Sequence, residues 1–127
     1  MAAPRGYEFD EEFLGLLAAE VPGHDVRIES DPKAAVAEAD VIYTDVWASM
    51  GQESEKSKRE AAFSGYQVND ELMSAAPRTW RFMHDLPARR GLEVSDEVID
   101  GPQSVVFEQA ENRMHLAKGL LVWLLGE

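Results

Sequence analysis

Three short runs carry side chains whose types and spacing suit chemistry. In Thr44-Asp45, followed by Ser49-Met50-Gly51, a carboxylate ends the most apolar strand-like stretch of the chain. A polar group placed directly after β-branched residues costs desolvation unless something pairs with it, which makes Asp45 a candidate for holding a cationic ligand group. A turn in which Asp45 caps nearby amides is the plainer reading. His84-Asp85-Leu86-Pro87 sets an imidazole, which titrates near neutrality, beside a carboxylate, the ingredients of an oriented general acid or base. Adjacent residues on an extended chain point opposite ways, however, and a hydrogen-bonded structural histidine fits the same residues. Glu111-Asn112-Arg113 puts a cation where a final helix is expected to begin, against the helix dipole. An anion such as phosphate, held by the guanidinium and helix amides together, would account for it, as would an ion pair with Glu108 or Glu111.

The remaining candidates lead nowhere. His24 and His115 are isolated and lie at no ligand spacing, so no metal is expected. There is no glycine-rich phosphate loop and no nucleophile elbow, and no cofactor is expected.

The elements that must position these groups follow from local pattern. Acidic residues Asp10, Glu11 and Glu12 ahead of Phe13, Leu14, Leu16 and Leu17 predict a helix over 9–20. Val26 and Ile28 alternating with Arg27 predict a short strand over 25–29. Asp31 as cap and Pro32 at the first position predict a helix ahead of Val36 and Ala39. Residues 41–47 are β-branched and aromatic, the composition of a strand buried on both faces. A charged helix over 53–63 and a short one capped by Asn69 follow, then a strand over 79–83. Ser95 can cap a helix expected over 96–99, residues 104–107 read as a last strand, and 110–125 are expected to form a helix with one wide apolar face, through Met114, Ala117, Leu121, Leu124 and Leu125. Strands alternating with helices at this spacing predict an α/β fold with a mainly parallel sheet, its ligands bound beyond the carboxyl ends of the strands.

Composition narrows the function. A chain of 127 residues makes one domain, and a formal charge of −12 argues against nucleic-acid binding. With no cysteine, disulfides, thiolate metal sites and thiol nucleophiles are excluded together. No stretch approaches the ~20 apolar residues of a membrane span, and the N-terminal residues lack a signal peptide's apolar core, so a cytoplasmic, membrane-free protein is expected.

Taken in order, Asp40-Val41-Ile42-Tyr43-Thr44-Asp45-Val46-Trp47-Ala48-Ser49-Met50-Gly51-Gln52-Glu53, then Phe82-Met83-His84-Asp85-Leu86-Pro87, then Ala110-Glu111-Asn112-Arg113 closely resemble the ornithine carbamoyltransferases. Pro4-Arg5-Gly6-Tyr7-Glu8 and Tyr66-Gln67-Val68-Asn69 fit as well, so the likeness covers nearly the whole chain. Ser49-Met50-Gly51 after the Asp45 strand points to the ornithine branch of the family. The resemblance implies a three-layer, Rossmann-like domain and transfer of a carbamoyl group from carbamoyl phosphate to the side-chain amine of ornithine, giving citrulline and phosphate. It further implies that Asp45, Ser49 and Met50 hold ornithine, that the His84, Asp85 and Leu86 loop faces the reacting groups, and that Arg113 contacts carbamoyl phosphate. Such catalysis rests on positioning and charge stabilisation, with no covalent intermediate.

Two departures from the family pattern shape the expectations. The carbamoyl-phosphate domain, with its Ser-Thr-Arg-Thr-Arg and His-Pro-x-Gln signatures, is missing from this sequence, as is the first strand-helix unit of the ornithine domain. The family's active site lies between domains and draws on a trimer neighbour, so little or no turnover is expected of this chain alone. A non-enzymatic α/β module that folds or assembles, and at most binds a cationic amino acid weakly, is the alternative; a subunit active only beside a separate carbamoyl-phosphate chain is another. The resemblance places the missing strand mid-sheet, so either the strands close up or two chains pair along exposed edges, giving a homodimer or higher oligomer. The second departure is Asp85, where the ornithine branch has the cysteine of His-Cys-Leu-Pro. A carboxylate near a phosphate dianion adds repulsion of about 4 kcal/mol at ~4 Å for unit charges at an effective dielectric of ~20.

Overall fold

The computed structural model describes residues 1–126. Its elements, in chain order, are α1 (Glu11–Glu20), α2 (Pro32–Val36), β1 (Val41–Thr44), a 3-10 turn (Glu53–Glu55) leading into α3 (Lys56–Phe63), α4 (Asp70–Met73), β2 (Arg81–His84), α5 (Asp96–Ile99) and α6 (Val106–Leu125). Side-chain caps form at three helix starts, whereas Ser95, expected to cap α5, makes no such bond and its buried Oγ has no partner. Asp10 accepts from Phe13 N, Asp31 from Lys33 N ahead of Pro32, and Asn69 from Leu72 N.

β1 and β2 are adjacent and parallel, with Val41 opposite Arg81 and Thr44 opposite His84. Ser104 extends the sheet by a single parallel bridge to Phe82. The core lies on one face: Ile42 and Phe82 point inward with Val68, Leu72, Val94, Val98, Ile99 and Val106. The Lys33–Glu71 ion pair, at 2.8 Å, clasps α2 to α4 on the surface. At the turn after α5, Gly101 comes so close to the Glu97 carbonyl oxygen that a Cβ would sit 2.6 Å from it.

Several expectations need correction. Of residues 25–29, only Glu29 forms a bridge, to Ala2, although Arg27 O also accepts from the Met1 amine at 2.8 Å; Val26 and Ile28 are exposed, and no strand forms over the stretch. The strand expected over 41–47 ends at Thr44, where the Asp45 carboxylate accepts from Val46 N at 2.6 Å and turns the chain. That strand is buried on one face only: Val41 and Tyr43 are 51% and 55% exposed. Residues 104–107 are not a strand. β-branched Val105 and Val106 suggested one, but Gln109 N donates to Val105 O, and buried Val106 opens α6. From residue 110 onward that helix is exposed throughout, and none of its apolar side chains joins the hydrophobic core among the described residues. Nor do the strands close up: the Ala2–Glu29 pair stays apart from the β1–β2 sheet. No helix among the described residues is long and apolar enough to cross a membrane.

Candidate functional site

The carboxyl ends of β1 and β2 deliver Asp45 and His84-Asp85 to the same place. Ligand atoms of Asp45, His84 and Asp85 all lie within 4.8 Å of one another, so residues 40 positions apart converge because their strands are parallel and in register. α6 adds Arg113, whose guanidinium Nη1 donates to the Asp85 carbonyl oxygen at 3.2 Å.

His84 is wholly buried, and both its ring nitrogens are occupied. Leu86 N donates to Nδ1 at 2.9 Å, which leaves the ring proton on Nε2, facing Glu93 Oε1 at 3.3 Å. The same Glu93 oxygen accepts from Arg89 N. His84 thus ties down both ends of the bend that follows β2, and Leu86 is held at a φ of 55°, a left-handed conformation that costs a residue with a Cβ roughly 1–2 kcal/mol. The ring is packed as a structural histidine is packed. The approach of His84 Nδ1 to Asp85 Oδ1, at 3.3 Å, arises because the chain leaves the strand at Asp85, so the opposite-pointing rule for extended residues no longer applies.

Asp85 Oδ1 carries the site's clearest chemical signal. It is buried with no hydrogen-bond donor, and Nδ1 of His84, 3.3 Å away, is itself an acceptor. Together with exposed Asp45 it makes an acidic cluster at the strand ends, suited to a cation that brings its own N–H donors. The cluster is tight enough to surround a metal ion, but the imidazole lone pair is already engaged by Leu86 N and one Asp45 oxygen by Val46 N, leaving carboxylate oxygens alone as ligands.

The other site residues stand differently. Ser49 and Met50 occupy the loop beyond β1. Ser49 N donates to Gln52 Oε1 at 3.1 Å, and Met50 is 94% exposed, with no hydrogen bond linking either to the acidic cluster. Arg113 does not sit in a first helical turn, because α6 starts at Val106; its amide belongs to the helix ladder, and the helix-terminus argument for an anion does not hold. Its proposed ion pair does not form either, since Glu111 approaches His115 at 3.4 Å instead.

Two supporting residues were not visible from sequence. Glu93 is fully buried and anchors the His84 bend, with Oε2 left unpartnered. An acid between Leu92 and Val94 was the available hint, since a carboxylate flanked by apolar residues must find donors if the segment is buried. Gln109 accepts from His84 N at 3.0 Å and donates to the Tyr43 hydroxyl at 3.3 Å, tying α6 to both strands. Its place beside a strand end depends on where α6 begins, which the pattern misjudged.

The family profile described as "Aspartate/ornithine carbamoyltransferase, Asp/Orn binding domain" matches residues 1–124. An ornithine carbamoyltransferase of Methanosarcina acetivorans is 52% identical over 125 residues, 98% of this chain and 41% of that protein. A catabolic ornithine carbamoyltransferase of Thermoplasma acidophilum is 50% identical, with 98% and 42% covered. Among solved structures, the ornithine carbamoyltransferase of Pyrococcus furiosus superimposes with a TM-score of 0.82 at 52% identity, over 95% of this chain and 39% of that one. The anabolic enzyme of Campylobacter jejuni does so with a TM-score of 0.86 at 34% identity, over 98% and 42%. The chain therefore spans about two fifths of the length of the relatives it matches.

Proposed function

The chain belongs to the aspartate/ornithine carbamoyltransferase family, and from that premise we propose that it forms the ornithine-binding side of a carbamoyl-transfer cleft. The observation that carries the reading is the donor-starved Asp85 carboxylate beside Asp45 at the ends of two parallel strands. An ornithine ammonium supplies the N–H groups that this acidic cluster lacks. Asp45, with Ser49 and Met50 closing in from the loop, holds the amino-acid end of ornithine. The bend from His84 to Leu86 presents backbone groups to the carbamoyl carbon and the attacking amine. His84 does not take the amine's proton in this reading, since both its nitrogens are committed; it fixes the bend. Arg113 faces the phosphate of carbamoyl phosphate once the rest of the cleft is assembled. The reaction is attack of the neutral side-chain amine on the carbamoyl carbon with loss of phosphate, and this side of the cleft contributes positioning and charge complementarity.

The remaining phosphate-binding groups belong to the other side of the cleft, so the chain alone binds ornithine weakly and turns nothing over. The test is an NMR titration with ornithine, read beside a citrulline assay. Shifts are expected at Asp45, Asp85 and Leu86, with Asp45→Asn weakening binding about tenfold, the scale of one charge-assisted hydrogen bond. Citrulline is expected only after the complementary part of a relative is added. Absence of any shift at these residues overturns the ornithine reading. Rapid turnover by the chain alone overturns the division of the cleft.

A further inference from the structure

The buried imidazole of His84 lies between two carboxylates at equal distance: Glu93 Oε1 is 3.3 Å from Nε2, and Asp85 Oδ1 is 3.3 Å from Nδ1. Only the first contact is a hydrogen bond while the ring is neutral. On the other side Leu86 N, at 2.9 Å, donates to Nδ1, so the Asp85 oxygen faces a lone pair and is left without a donor. Nδ1 therefore has two neighbours with opposite needs, an N–H seeking an acceptor and a carboxylate oxygen seeking a donor. A neutral ring satisfies the first; a charged ring, which donates from both nitrogens, satisfies the second.

The surroundings bring both states within reach. Imidazole ordinarily changes charge near neutral pH. The acids around it are Asp85 beyond β2, Asp45 beyond β1 and Glu93 ahead of α5. Of the cations, Arg113 of α6 stands behind Asp85, bonded to its carbonyl oxygen, while Arg89 is exposed and gives Glu93 only its amide. A proton can reach the ring through the Asp85 side chain, which is 42% exposed. Leu86, for its part, has two reasons to leave its place. Its φ of 55° is left-handed, and it precedes Pro87, where extended backbone is favoured. The bond to Nδ1 offsets both.

We propose that His84 and Asp85 form a proton-operated switch on the bend after β2. When the ring takes a proton from solvent, Nδ1–H donates to Asp85 Oδ1, Leu86 N loses its acceptor, and the bend loosens. When the proton returns to solvent, Leu86 N bonds to Nδ1 again and the Asp85 oxygen is free for another donor. Acid therefore favours the loose bend and base the closed one. The consequence for ligands rests on the ornithine reading: an Asp85 oxygen that accepts from the ring is no longer short of a donor, so ornithine binds more weakly on acidification.

The test follows the isotope-labelled full chain by NMR between about pH 8 and about pH 5, the range in which imidazole titrates. Proton–nitrogen correlations of the His84 ring report which nitrogen carries a proton, and the Leu86 amide reports the bend. At the upper end only Nε2 is expected to be protonated. At the lower end both nitrogens are, and the Leu86 amide shifts with the same midpoint and exchanges about tenfold faster after correction for pH. These readings need no variant. Asp85→Asn removes the charge that favours the protonated ring and should lower the midpoint by about one pH unit, the scale of one nearby opposite charge. Ornithine titrated at both ends of the range is expected to bind more tightly at the upper one in the parent chain and with little pH dependence in Asp85→Asn. Absence of ornithine shifts at either pH overturns the ornithine reading, and the ring still decides the switch. A bare Nδ1 down to the pH at which the chain unfolds, a ring that titrates while the Leu86 amide stays unmoved, or an unchanged midpoint in Asp85→Asn each overturns the switch.

Discussion

The stretch from β2 to the first turn of α6 and the remainder of α6 adjoin in sequence yet pack in opposite ways. In the first, Phe82, His84, Glu93, Val94, Val98 and Val106 are all under 2% exposed. In the second, Leu116, Leu121, Trp123, Leu124 and Leu125 are exposed by 59–76%. Residues 120–125 are apolar without a break, so they point around the whole circumference of the helix rather than along one stripe. Apolar composition in the first region stabilises this chain's own fold. In the second it adds nothing to that fold and marks surface of the kind that meets other polypeptide.

Substitution separates the regions most sharply. Phe82→Ala, in the packed region, is expected to cost about 3–5 kcal/mol in urea unfolding through lost transfer energy and the cavity left behind. Leu124→Ala, a comparable truncation in α6, is expected to stay within about 0.5 kcal/mol. A large cost at Leu124 would show that α6 folds back onto the chain and would remove the contrast. Glu93→Ala comes next, at roughly 2–3 kcal/mol, because it strands Arg89 N and His84 Nε2 inside the core. The same variant should also displace the Leu86 amide resonance, since the ring that receives its N–H is no longer braced. Loss of stability without that shift would mean that Glu93 fills space and orients nothing.

The two regions also differ in how far sequence exposed them. Capped helices and the adjacent pair of parallel strands were legible because their signals are local: Asp31-Pro32, Asn69, and a run of β-branched residues before Asp45. The convergence of Asp45 and Asp85 was legible through the resemblance and, more weakly, through the rule that α/β sheets present ligand groups at strand ends. What stayed hidden depends on distant partners. Residues 41–47 read as buried on both faces, although the chain covers only one. Val105 and Val106 read as strand because β propensity registers a fit to half-buried surface, and a helix start docked on the core offers the same surface. Glu93 and Gln109 were hidden for a related reason: their donors and acceptors come from a bend and a helix start whose geometry no short pattern specifies.

The smallest effect tests whether surface charge follows the same boundary. Arg90 donates to Asp100 through both terminal nitrogens, at 2.6 and 2.8 Å, and to Asp96 at 2.7 Å, bracing α5 against the segment that carries Glu93. The hydrogen bond from Arg90 holds the Asp100 carboxyl below the ordinary aspartate range. A group whose folded pKa is depressed adds stability that is present above its unfolded value, near 3.9, and disappears as pH falls through the lower folded value. Asp100→Asn should therefore lower stability slightly at pH 7, and the gap to the parent chain should close on acidification below about pH 4. Salt should shrink it as well, since both partners are exposed and screened. A gap that persists at pH 2 would place Asp100's contribution in neutral hydrogen bonding. In that case the packed region would owe nothing to the charges on its surface, and its stability would come from the core beneath them.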